Sequence, residues 1–74
     1  MILADRLNKI IEEQNITKVE FAKKIGGTPQ YIHLLTGNAK KRPETIAPAL
    51  AKLIALEFGY DEEWILHGDT NKDA

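Results

Sequence analysis

The cations of this chain are gathered in one stretch, and together they can attract phosphate. Residues 17 to 43 hold Lys18, Lys23, Lys24, Lys40, Lys41 and Arg42 against Glu20 alone, six cations to one acid and a local balance of +5. Residues 44 to 74 reverse it, with Lys52 and Lys72 against Glu44, Glu57, Asp61, Glu62, Glu63, Asp69 and Asp73, a balance of −5. The formal net charge of −1 therefore describes a polarised molecule, one face of which suits an anionic partner. Other chemistry is poorly supplied. There is no cysteine, and His33 and His67 lack carboxylate or cysteine neighbours at ligand spacing. Neither a nucleophile–base pair nor paired carboxylates can be assembled, so the sequence points away from an enzyme, a metal site or a cofactor.

The basic stretch must be built on helices. Phe21, Ala22 and Ile25 fall at i, i+1 and i+4, one helical face, and Ile32 and Leu35 repeat the pattern after a break. The break is Gly26-Gly27, which permits the φ > 0 conformation that ends a helix and reverses the chain. Thr17 with Glu20 fits a capping box, and Thr28-Pro29 gives a cap followed by proline at the first helical position. Two capped helices joined by a glycine turn are expected between Thr17 and Asn38. Ala22 sits mid-face, where two steeply crossed helices leave room for a small side chain only.

Further helices complete an all-α bundle. Residues 3 to 14 place Leu3, Leu7, Ile10 and Ile11 on one stripe opposite charged residues. After Pro43, Thr45 is the expected cap of a fourth helix, with Ile46, Ala49, Leu50, Leu53, Ile54 and Phe58 as its apolar face and Gly59 as its stop. Pro48 falls in its first turn, where proline is tolerated. Asp61 is the expected cap of a last helix over EEWILH, with Trp64 in the core and Gly68 at its end. Seventy-four residues, 43% of them hydrophobic, allow one domain with one modest core. The first ten residues carry Asp5, Arg6 and Lys9 and no long apolar run, so neither a signal peptide nor a membrane span is expected, and a cytoplasmic location is. The polar residues 69 to 74 read as a mobile tail.

Lys18 to Leu35 resembles the helix-turn-helix unit of the Cro/C1-type (XRE) regulators, with Phe21, Ala22, Ile25, Gly26, Ile32 and Leu35 at that family's buried and turn positions. The likeness, most marked toward the DNA-binding domain of lambdoid phage repressors and Cro, continues through Lys41-Arg42-Pro43. It reaches Trp64-Ile65-Leu66-His67-Gly68, which is similar to the WLLxG ending of many members, and so covers roughly residues 3 to 68. It implies a compact five-helix bundle over residues 1 to 68, and a transcriptional regulator, a repressor of phage or prophage origin that binds a palindromic double-stranded DNA operator as a homodimer. The 28–36 helix would lie in the major groove.

Carried over onto this chain, the resemblance makes Pro29, Gln30, Tyr31 and Leu34 the base-facing candidates. Gln30 stands out, because its amide donates and accepts in one plane and matches the adenine edge. Leu34 and Pro29 offer apolar contact, for example to a thymine methyl. Thr17, Lys18, Thr28, Lys40, Lys41 and Arg42 match positions that approach the DNA backbone. The chain departs from the family in its few polar reading residues, in Asn38 where many relatives have glycine, and in a longer fourth helix. Alternatives stand beside this reading: an antitoxin that represses its own operon and binds a toxin, or a protein-interaction module docking through Pro29, Tyr31 and Leu34. Tyr31 could fold back on the domain and Leu34 could pack against the loop or a partner subunit. Lys23, Lys24 and Lys52 read as solvated helix surface.

Overall fold

Helix boundaries in the computed structural model, which describes residues 2–37 and 45–68, fall mostly where local chemistry places them. The order is α1 (Leu3–Gln14), α2 (Lys18–Lys24), α3 (Pro29–Thr36), α4 (Pro48–Phe58) and α5 (Glu62–His67), with no strand among the described residues. The expected tail, residues 69 to 74, lies outside them. The capping box closes as its residues demand: the Glu20 N–H donates to Thr17 Oγ1 at 3.0 Å, and the Thr17 N–H donates to Glu20 Oε1 at 2.9 Å. Thr28 caps α3 through the Tyr31 N–H at 3.2 Å, with Pro29 next in line.

Between α2 and α3 the chain turns on a Schellman arrangement. Gly27 N–H donates to the Ala22 carbonyl at 2.8 Å and Gly26 N–H to the Lys23 carbonyl at 3.3 Å. Gly26 carries φ +74°, and a Cβ there would meet nothing within 4 Å, so the cost of a side chain is backbone strain alone. Gly26→Ala should lower unfolding free energy by about 1–2 kcal/mol with helix content unchanged. Gly27→Ala, placing its Cβ at ordinary contact distance from Ile25 and Ala22, is the control and should be tolerated. Urea titration followed by circular dichroism reads both.

The core lies where the stripes of the helices meet. Leu7, Ile10, Phe21, Ile32, Leu35 and Ile65 are fully buried, and the Phe21 ring stacks on Phe58 with centroids 5.2 Å apart. Ala22 is also fully buried, as its mid-face position requires. Asn8 Nδ2 on α1 donates to the Thr36 carbonyl at 3.0 Å, and Thr36 Oγ1 donates to the Ile32 carbonyl at 2.7 Å, tying the end of α3 to α1.

Four expectations need correction. Thr45 does not cap α4; the helix starts at Pro48 with Ala47 extended at φ −61°, ψ 139° and no side-chain cap. The reason is Pro48 itself, whose ring disfavours helical backbone in the residue before it. Of the expected α4 face, Ile46 and Ile54 are buried and Leu50 and Phe58 partly so, whereas Ala49 and Leu53 are exposed and Ala51 takes the buried place. At 100° per residue, positions 49 and 53 point away from the stripe that 51, 54 and 58 form. Asp61 stands at the N-cap of α5 but makes no side-chain cap bond. Trp64 is half-buried, stacked on Tyr60 at 6.0 Å, while its neighbour Ile65 fills the core.

One charged residue is unexpectedly interior. Arg6 is buried, with Nε donating to the Ile65 carbonyl at 3.1 Å and Nη2 to the Leu66 carbonyl at 3.4 Å. A cation at carbonyls near the end of α5 answers both their unfilled acceptor capacity and the negative end of the helix dipole.

At the surface of α1, Tyr60 Oη donates to Glu13 Oε1 at 2.6 Å and Lys9 Nζ lies 3.4 Å from Glu13 Oε2. The tyrosine hydrogen bond, with help from Lys9 and against some desolvation, holds the Glu13 carboxyl below its usual range. Burial first, then the bond to Glu13, raises the Tyr60 hydroxyl. A depressed carboxyl adds stability that is present above the unfolded glutamate pKa and lost as pH falls through the folded one. A raised phenol adds stability present below the ordinary tyrosine range and lost on the alkaline side. Tyr60→Phe should therefore have a lower urea midpoint than the parent at pH ~7, a gap that narrows by pH ~3, below the ordinary glutamate pKa.

Candidate nucleic-acid interface

α3 is divided cleanly between core and solvent. Ile32 and Leu35 are fully buried and Thr36 nearly so, which fixes the helix by one side. Gln30, Tyr31 and Leu34 share the other side at i, i+1 and i+4, and all three are exposed; Pro29 at the leading end is half-buried. Tyr31 is 37% and Leu34 42% exposed. His33 joins this outward surface, a position that sequence reasoning passed over because it weighed that imidazole only as a metal ligand. The eight-residue helix is about 12 Å long, and an α-helix with its side chains is about 10–12 Å across, a diameter that a duplex major groove admits.

The phosphate candidates divide less evenly. Thr28 stands exposed at the start of α3, a helix with no acid in its first turn, so the positive end of its dipole is uncompensated. Thr17 is exposed at the start of α2, but its N–H and one hydroxyl lone pair are spent in the capping box, leaving the hydroxyl hydrogen as its free donor. Glu20 places a carboxylate at that same helix end and works against an anion there. Lys18 stands half-buried in the first turn of α2. Lys23 and Lys24 are exposed in the last turn of α2, where cations suit the dipole, in keeping with solvated surface. Lys40, Lys41, Arg42 and Asn38 lie outside the described residues.

Among the described residues, no group of three or more His, Cys, Asp or Glu side chains is placed to hold a metal ion. His67 Nε2 lies 3.7 Å from Glu63 Oε1, one helical turn earlier, on open surface. No described helix is long and apolar enough to cross a membrane.

These features define a small all-α protein that clamps one short helix by its inner face and offers the outer one to solvent. Compared with known proteins, the chain matches no family model, no curated protein and no solved structure.

Proposed function

We propose that this chain is a sequence-specific regulator of transcription of the helix-turn-helix type. In this reading it is a phage or prophage repressor of the Cro/C1 kind, and α2, the glycine turn and α3 form the DNA-reading unit. The observation that carries it is the exposure of Gln30, Tyr31 and Leu34 on a helix locked by Ile32 and Leu35. The Thr28-capped start of α3, which has no acid in its first turn, is the better-suited helix end for a backbone phosphate, while at the start of α2 only the Thr17 hydroxyl is left to donate. Base edges would be met by Gln30 and apolar base features by Tyr31, Leu34 and Pro29. The cationic segment that contains Lys40, Lys41 and Arg42 supplies the long-range attraction. One such helix reaches only a few base pairs, so useful specificity asks for a homodimer on a palindrome with half-sites about one helical turn apart.

Selection of bound sequences from a random duplex pool tests this directly. An enriched palindrome bound cooperatively, with affinity falling steeply as salt rises, is the expected result. Equal affinity for all duplexes at physiological salt would sink it.

A second reading, a protein-interaction module, is favoured by the apolar character of Tyr31 and Leu34. The pair Lys41→Glu and Arg42→Glu separates the two. Loss of duplex binding and of biological activity together supports the regulator, while retained activity supports the module.

A further inference from the structure

Helix α4 is apolar on two sides, and among the described residues only one of them is covered. Ala51 and Ile54 are fully buried, with Leu50, Ala55 and Phe58 packed against the core beside them. The opposite side carries Ala49, Leu53 and Leu56, with Leu53 half exposed and Leu56 74% exposed. Leucine at that exposure in mid-helix wins little for the isolated chain, and spacings of four and three are those of a coiled-coil seam. In heptad terms Leu53 takes position a, Ala49 and Leu56 position d, Lys52 position g and Glu57 position e.

We infer that this face of α4 binds the same face of a second copy of the chain, the two helices running parallel about a two-fold axis. The charges select this arrangement. In a parallel pair the g position of one helix lies beside the e position five residues on in the other, so Lys52 of each copy meets Glu57 of the other, once on each flank. An antiparallel pair would set g beside g and e beside e, leaving Lys52 and Glu57 on opposite flanks without each other as partners. The seam is thus complementary to itself in the parallel direction only. The inference deepens the operator-binding reading by naming the surface that joins the half-site readers, yet it is read without DNA.

Sedimentation velocity of the full chain over a concentration series gives the test. The parent chain should dimerise, and Leu56→Glu should weaken the dimer at least about tenfold while leaving helix content intact. Lys52→Glu and Glu57→Lys should each weaken it about threefold or more, and the double variant should return to within about twofold of the parent, because the pairs are restored with their signs exchanged. Both charges are on exposed surface, so none of these changes burdens the core. A parent chain that stays monomeric to about 100 μM, a dimer indifferent to Leu56→Glu, or a double variant no better than the singles would each overturn the inference. If the dimer behaves as expected and no duplex is selected, the interface stands and the operator reading falls.

Discussion

Phe21→Ala should leave this protein largely unfolded at 37 °C. Phe21 is fully buried and stacked on Phe58, with ring planes 11° apart, so it ties α2 to α4. Truncation removes the transfer free energy of the ring and leaves a cavity that helices fixed on several sides cannot close, a loss of about 3–5 kcal/mol. A domain of 74 residues has on the order of 4–11 kcal/mol to lose, with no disulfide to limit the unfolded chain. The thermal midpoint should drop by about 15–30 °C. Phe21→Leu, which keeps most of the volume, should cost about 1–2 kcal/mol and retain the fold. Calorimetry distinguishes the pair, and a Phe21→Ala midpoint within a few degrees of the parent would show that the Phe21–Phe58 contact is not central to the core.

Gln30→Ala should abolish discrimination at one base pair of each half-site while leaving the fold untouched. The side chain is exposed in the first turn of α3 and makes no described contact that stabilises the helix, so alanine, a better helix former, is tolerated there. A bidentate amide contact to adenine is worth about 1–3 kcal/mol, roughly a five- to 150-fold loss for each half-site of the selected operator. Non-specific binding should hold, because the phosphate contacts remain, and the salt dependence should keep its slope. Competition gel shifts with operators altered one base pair at a time read this out. A uniform loss across all sequences would assign Gln30 to the backbone and leave shape and flexibility of the DNA as the source of any specificity.

Local chemistry was legible wherever a residue acts on its own neighbours. The capping box at Thr17 and Glu20, the Thr28 cap before Pro29 and the left-handed Gly26 all form from partners within five positions, so spacing alone specifies them. The same holds for the first stripe of α1, where period 3.6 and residue type agree. Reasoning failed where two local rules competed or where a long-range partner decided. Thr45 is a good cap by type, but Pro48 three residues on prevents Ala47 from turning helical. Arg6 reads as a surface cation, and its burial follows from carbonyls at Ile65 and Leu66, some sixty positions away.

The sequence by itself determined the number of helices, most of their ends and the division of charge, because these follow from capping, turn and periodicity terms that act over one or two turns. Only the tertiary structure decided which apolar residues are spent on the core and which remain at the surface. Tyr31, Leu34 and Leu56 fall outside the expected stripes by helical spacing, but Leu53 is as hydrophobic as buried Ile54 and nothing local marks it as outward. What does so is the finite room in a small core, filled by Phe21, Ile54 and Ile65, and the apolar residues left outside define the two candidate surfaces.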